Sequence, residues 1–403
     1  MRREQSEIAI LGGGIAGLST AIALRLAGQP ATVYERRSVP SEHGAGLVCW
    51  PNASFILNDL GVLPMLEAHA GAPTAMERRT MSDEFLGAVD IAALSAEAGE
   101  GTYSVLRKDL YASLRQRLDA LGGKVHYGYE ARTVLPSENG AVVEFANGAR
   151  IAPTVILGAE GRMASAARRY VLGQDSPRYQ GFVNWIGVVE MRAPVFADMQ
   201  IQDIWGVGLR FGIVPISPRR AYWAAGQAQD APEPVPLAQR PEMLRALFGC
   251  WPPSVQAIVG SDATKACHEI HVYDHDHTSV WHRDNVLLLG DAAHAALPTS
   301  GQGACQALED AWHLAKHLRI LGESSDLEQQ FTNFTEKRRA KTRQITNAGR
   351  SLAKSLFNTA PAACEARNTA AKATDYAALS TGMAQFWMQG LPLEGITSGP
   401  SSR

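Results

Sequence analysis

The chain has 403 residues, with 38 lysines and arginines against 40 acids, a net charge of −2, and 46% hydrophobic residues. That is an ordinary globular balance, long enough for two or three domains of roughly 150 residues, and it excludes fibrous or disordered classes and strong global attraction to nucleic acid or anionic membrane. Five scattered cysteines (Cys49, Cys250, Cys267, Cys305 and Cys364) form no CxxC pair, which excludes a disulfide framework or a cysteine zinc site and points to a reducing, cytoplasmic setting.

In chain order, Glu7 to Leu11 is a short apolar run of the kind that forms a fully buried parallel strand. Ile8 to Gly28 is apolar enough to suggest a signal or membrane segment. Its glycines, Arg25 and the lack of a small-residue cleavage site instead predict strand, turn and buried helix. The turn reads G-x-G-x-x-G at Gly12, Gly14 and Gly17, with a helix over Leu18 to Leu26 that stops at Gly28. A second strand, Ala31 to Glu35, ends in an acid 18 residues after Gly17.

The first glycine of such a turn permits the tight bend. The second lets backbone approach a pyrophosphate, and the third lets helix pack on strand. The helix N-terminus offers free N–H groups and a positive dipole end, and the acid accepts from ribose hydroxyls. A dinucleotide is therefore expected at Gly12, Gly14, Ile15, Ala16, Gly17, Glu35 and Arg36.

Far downstream, Asn285 to Leu289 predicts another buried strand, followed by Gly290-Asp291-Ala292-Ala293-His294, Pro298, Gly301-Gln302-Gly303 and a helix through Ala311. An acid at that strand end can hold the hydroxyls of a ribityl chain. A helix starting at the glycine turn can aim its dipole at the edge of a reduced isoalloxazine.

These separated motifs together resemble the single-component, FAD-dependent aromatic hydroxylases (class A flavoprotein monooxygenases). Arg107 in Leu106-Arg107-Lys108-Asp109-Leu110, and Gly44-Ala45-Gly46-Leu47 followed by Pro51-Asn52-Ala53, also match family positions. The resemblance spans roughly residues 7 to 350. It implies an α/β fold, with a Rossmann-like FAD-binding domain interleaved with a mainly antiparallel β-sheet substrate domain, plus C-terminal helices. Residues 1–75, 100–177 and 278–320 would build the FAD domain, and 76–99 and 178–277 the substrate sheet. Residues 321–403 would form a C-terminal helical region with a disordered tail over Ser398 to Arg403.

The same resemblance adds Gly46, Leu47, Arg107, Glu160, Asp291, Pro298, Gly301, Gln302 and Gly303 to the cofactor set. The family's Gly-Ala-Asp-Gly is here Gly158-Ala159-Glu160-Gly161, which keeps a carboxylate displaced by a methylene. FAD is the implied cofactor, NADPH or NADH and O₂ the co-substrates. The implied reaction hydroxylates an electron-rich aromatic or N-heteroaromatic ring, expected to be anionic, through a C4a-hydroperoxyflavin.

Within the predicted strands Phe182 to Glu190 and Leu209 to Pro215, Arg210 shares a face with Gly212 and Val214, where a guanidinium can hold a substrate oxygen or be a plain solvent-facing arginine. Arg210, Tyr222 and the surrounding Tyr179 to Trp185 and Gly249 to Pro253 segments resemble the urate hydroxylase branch, in which the arginine and tyrosine hold the purine. That branch carries an acid after the proline before the glycine turn. Thr299 stands there in this chain, which argues against urate itself. His294 is a candidate for either a catalytic or a structural hydrogen bond.

Ala231 to Pro236, with three prolines, predicts a loop. The histidine-rich stretch from His271 to His282 predicts a polar connecting loop rather than a metal site. Leu327 to Leu356 predicts a long helix whose charge run is a solvated face, and Ala370 to Gln389 a further helix. The expected assembly is a monomer or homodimer with no nucleic-acid or membrane partner. Two other classes remain: a non-hydroxylating oxidoreductase of the same fold, and a non-catalytic FAD-binding protein. The halogenase signature Trp-x-Trp-x-Ile-Pro is absent.

Overall fold

The computed structural model describes residues 8–39, 45–138, 140–173, 176–318 and 326–392. Glu7, Gly44 and the Ser398 to Arg403 tail lie outside the described residues.

Ile8–Leu11 is central in a six-stranded sheet, paired in parallel with Val155–Gly158 on one side and Ala31–Glu35 on the other. Val286–Leu288 and Lys124–Tyr127 extend the parallel run, and the short His282–Arg283 strand closes one edge antiparallel. All four residues of Ile8–Leu11 are buried, as an unbroken apolar run requires when helices cover both faces. The first helix is Ile15–Leu26, starting three residues earlier than its apolar pattern suggested.

A seven-stranded sheet joins Ala75–Thr80 and Phe85–Asp90 to five strands from Arg178 to Asp274, antiparallel except where Ala75–Thr80 meets Ile201–Trp205. Leu209–Pro215 has its predicted bounds, and Phe182 to Glu190 is extended back to Arg178. Alternation divides its two faces. Trp185, Phe211 and Trp223 point outward into an apolar core with Phe248 and Trp251, beside helices Arg240–Phe248 and Pro253–Val259. Arg210, Gly212, Val214 and Tyr222 share the opposite face, because Arg210 pairs with Gly226 and Val214 with Tyr222. Ala231 to Pro236 is irregular, as the prolines require.

Three expectations need correction. The run Ala370 to Gln389 is two helices, Pro361–Lys372 and Tyr376–Met388, because Asp375 caps the second by accepting from Ala378 N at 3.0 Å. The histidine stretch is not all loop: His271 lies in the strand His268–Asp274 and His282 in a strand of its own.

Leu327–Leu356 has its predicted bounds, but its charge run is not wholly solvated. Phe331, Phe334, Arg338, Lys341, Thr342 and Ile345 form one buried stripe at helical spacing. Arg338 donates to Glu309 at 2.5 Å and Asp310 at 2.8 Å, and Lys341 to both Glu309 oxygens at 2.9 Å. These acids sit on the facing helix Gly303–His317, so the buried charges are compensated.

Candidate functional site

The three motif glycines are held for three different reasons. Gly12 has φ +103°, and a Cβ there would lie 2.3 Å from Ala159 O. A Cβ on Gly17 would stand 1.9 Å from Gly12 O, so the helix reaches the turn only without a side chain. A Cβ on Gly14 would meet nothing within 4 Å, because that position opens into a cleft of about 320 Å³.

Glu35 ends its strand beneath this turn. One carboxylate oxygen accepts from Gly13 N at 2.7 Å and the other from Arg37 N at 2.9 Å. A carboxylate has further acceptor capacity on each oxygen, so Glu35 shapes the turn and still faces the cleft it lines.

Ile15, Ala16, Arg36 and Gly303 also line this cleft, as do Arg107, Glu160 and Asp291. Arg107 begins the helix Arg107–Ala120 and is open to the cleft. Enclosing protein lowers its pKa by desolvation, against the pull of Asp291 and with repulsion from Arg37 and Arg162. Burial pushes the Asp291 carboxyl up, but Arg162, His294 and Arg107 overcome it and leave its pKa below the usual range. Arg162 Nη2 lies 2.7 Å from Asp291 Oδ2, and the same guanidinium donates to Tyr273 O at 3.0 Å.

Arg162 and Arg37, both lining the cleft, were not among the sequence candidates. The usable signal for Arg162 was its place directly after the Glu160-Gly161 turn at a strand end. Glu160 turns its carboxylate inward, accepting from Ser165 Oγ at 2.7 Å and from Ala166 and Ala167 N at 2.9 and 3.0 Å. Burial raises its pKa, opposed by those hydrogen bonds.

The cleft therefore has the features a dinucleotide needs: open space over Gly14, converging arginines, and acids at both strand ends. A buried donor near the downstream turn adds to the fit. Gln302 Nε2 has no hydrogen-bond partner among the described residues, while its Oε1 is taken by Asn52 and Gln306. The residues present fit FAD.

Gly46, Leu47, Pro298, Gly301 and Gln302 do not line the Gly14 cleft. Gly46 and Leu47 lie in the strand Gly46–Cys49, paired with Tyr103–Leu106 directly before Arg107. Pro298–Ser300 forms one turn of 3-10 helix, and Gly301 follows with φ +63°, a left-handed value suited to glycine. Thr299 Oγ1 donates to Gly349 O at 2.7 Å, tying this turn to the long helix.

Arg210 and Tyr222 are on one face of the large sheet, outside the Gly14 cleft. Tyr222 lies against Gly46, where an added Cβ would stand 2.0 Å from its ring, so the seven-stranded sheet meets the strand Gly46–Cys49 there. Burial pushes the Tyr222 phenol up, with Arg210 opposing and Cys49 reinforcing, so it remains a neutral hydroxyl. Arg210 Nε donates to Asp203 at 2.6 Å, and Asp203 is only 5% exposed. That bond fixes the guanidinium plane. A Cβ on neighbouring Gly212 would find only Ala224 O, at 3.9 Å, so there is room beside it.

Asp203 was missed by sequence reasoning. Its signal was an acid alternating with Ile201 and Trp205 on one strand face. His294 Nε2 lies 2.6 Å from Asp310 Oδ2, and its ring is 5.2 Å from that of Trp281. It borders a separate hollow. Among the described residues no cluster of three or more His, Cys, Asp or Glu could hold a metal, and no helix is long and apolar enough to cross a membrane.

The family described as "FAD binding domain" matches residues 5–348. An aurachin C monooxygenase/isomerase of Stigmatella aurantiaca is 32% identical over 78% of this chain and 81% of its own length. A FAD-dependent urate hydroxylase of Klebsiella pneumoniae is 32% identical over 75% of this chain and 78% of its own. The crystal structure of Klebsiella pneumoniae HpxO complexed with FAD and uric acid superposes with a TM-score of 0.85 at 27% identity, covering 97% of this chain and 98% of that one.

Proposed function

The chain belongs to the FAD binding domain family and is an FAD-dependent monooxygenase; we propose that it hydroxylates an electron-rich aromatic or N-heteroaromatic ring, with NADH or NADPH and O₂ as co-substrates. The observation that carries the reading is the cleft over Gly14, open where a Cβ would sit and bordered by Glu35, Arg107 and Asp291. FAD, when bound, supplies the redox and oxygen chemistry. The protein supplies binding, orientation and exclusion of water.

The backbone at Gly12 to Ala16 and the arginines of the cleft hold the pyrophosphate, and Glu35 accepts from the adenosine ribose. Asp291 accepts from ribityl hydroxyls, which means sharing or releasing Arg162. Gly46, Leu47 and the turn from Pro298 to Gly303 flank the ring system. The interleaved division into residues 1–75, 100–177 and 278–320 for FAD, and 76–99 and 178–277 for substrate, is part of this proposal. Strands from both latter segments lying in one seven-stranded sheet support it.

Arg210 presents its guanidinium, oriented by Asp203, to the oxygen or ring-nitrogen edge of the substrate, and Tyr222 adds a neutral hydroxyl. An anionic ring gains most from this arginine. His294 keeps a supporting role through Asp310, which also accepts from Gly290 N at 2.8 Å. Five free cysteines favour a cytoplasmic protein, acting as a monomer or homodimer. The test is FAD loading followed by anaerobic reduction with NADH and NADPH in turn. Tight FAD binding with reduction by either nucleotide supports the proposal; a chain that retains no flavin contradicts it.

A further inference from the structure

The helix Tyr376–Met388 lies beyond the matched family span of residues 5–348. It packs on helix Ile91–Ala98, strand Phe85–Asp90 and helix Pro51–Asp59. Two separate chains of contact run from its last turn to the dipeptide Gly301-Gln302.

The first is aromatic. The Trp387 ring sits 4.6 Å from that of Trp50, at an interplanar angle of 46°. Trp50 Nε1 in turn donates to Gly301 O at 3.1 Å. Gly301 has the left-handed φ of +63°, and a Cβ added to it would lie 3.2 Å from Trp50 Nε1. The indole thus covers the turn and holds its carbonyl.

The second chain is ionic and buried. Lys341 Nζ donates to Trp387 O at 2.5 Å and Gln389 O at 3.0 Å, using carbonyls the helix end leaves unpaired. The same ammonium contacts Glu309, whose Oε1 accepts from Asn52 Nδ2 at 2.7 Å. Asn52 Nδ2 also donates to Gln302 Oε1 at 2.9 Å. Both routes end on adjacent residues of one turn, directly before Gly303, which lines the cofactor cleft.

We propose that the C-terminal helix is a positioning strap for the flavin turn, with Trp387 and Trp50 as positioning residues that set the place of Gly301-Gln302 against bound FAD. The inference rests on the FAD reading above and extends it to a segment outside the family span. A turn held from one side by an indole N–H and from the other by a buried amide leaves the Gly303 helix N-terminus fixed. Loss of the strap frees that turn to shift without removing any residue that lines the Gly14 cleft.

The test uses the full chain and FAD itself. Trp50→Phe keeps a smaller aromatic ring for Trp387 and removes the donor to Gly301 O. Trp387→Ala removes the ring, and Trp387→Phe restores it in smaller form. The FAD Kd should rise about 2- to 10-fold in Trp50→Phe, as loss of one hydrogen bond allows. It should rise by more in Trp387→Ala, with recovery in Trp387→Phe. At saturating FAD, the visible flavin bands and the midpoint potential should also move in Trp50→Phe and Trp387→Ala, which a mere fall in folded fraction cannot produce. Wild-type Kd, bands and potential in both variants would overturn the proposal, and if Trp387→Ala does not fold, Trp50→Phe alone decides. A wild-type chain that fails to bind FAD would instead count against the cofactor reading.

Discussion

Gly17 and Gly12 are packed so closely that a single added carbon on Gly17 would stand 1.9 Å from the Gly12 carbonyl oxygen. A carbon added to Gly14, by contrast, would meet nothing within 4 Å. The two glycines should therefore fail differently. Gly17→Ala forces the first helix off its strand and should cost about 1–3 kcal/mol of stability, as overpacking does. Gly14→Val should fold like the parent in circular dichroism yet lose FAD, because its side chain fills the pyrophosphate space. A yellow, flavin-loaded Gly14→Val protein would place the cofactor elsewhere.

Arg210→Ala should weaken substrate binding by about 10- to 100-fold, the range for losing a hydrogen bond to a charged group, while flavin content stays unchanged. Asp203→Asn should raise KM less, because the guanidinium remains but loses its fixed plane. Titration with substrate, read by quenching of flavin fluorescence, separates the two. Unchanged affinity in Arg210→Ala would remove this face of the sheet from substrate binding.

Arg338→Met should be among the most destabilising single changes, about 3–5 kcal/mol in urea unfolding, because it leaves Glu309 and Asp310 buried without their main partner. Lys341 compensates only part of that charge, and His294 leaves Asp310 a hydrogen bond. A loss below about 1 kcal/mol would match a surface arginine instead.

This network was not legible in the sequence. The strand, glycine turn, helix and acid from Ile8 to Glu35 were legible because each step is local and each residue type has one physical use. Arg338 and Lys341 looked solvated because their partners lie 28 to 32 residues away on another helix. Periodicity places both in the buried stripe, but only the facing Glu309 and Asp310 make that burial affordable. Asp203 was missed for the same reason, since its value depends on the next strand bringing Arg210 beside it. Thr374-Asp375, by contrast, carried a readable cap signal that splits the last helical run.

Stability should fall on mild acidification. Burial first, and then Arg338, depress the His313 pKa to about 3, against the pull of Glu309 and Asp310. The unfolded chain takes up that proton near pH 6.5 and the folded chain does not. The folded state is therefore penalised progressively as pH drops from about 6.5 towards 3. Glu309 and Asp310 act lower down: burial opposes their ionisation, yet their cationic partners depress both pKa values. Their contribution is full above the unfolded carboxylate range and disappears as pH falls through the folded values. His313→Gln should flatten the decline in melting temperature between pH 6.5 and 4.5, leaving the smaller effect of His282, whose pKa burial also lowers. An identical slope in the variant would exclude His313 as its source.

Ring hydroxylation is tested most directly by NADH and NADPH oxidation by the FAD-loaded protein across a panel of hydroxylated aromatics and N-heteroaromatics, with products followed by mass. At least one ring should stimulate nucleotide consumption and gain a single oxygen atom. Arg210→Ala should lose that stimulation at the same substrate concentration. Reduction that proceeds equally with and without any ring, yielding only hydrogen peroxide and no oxygenated product, would contradict it.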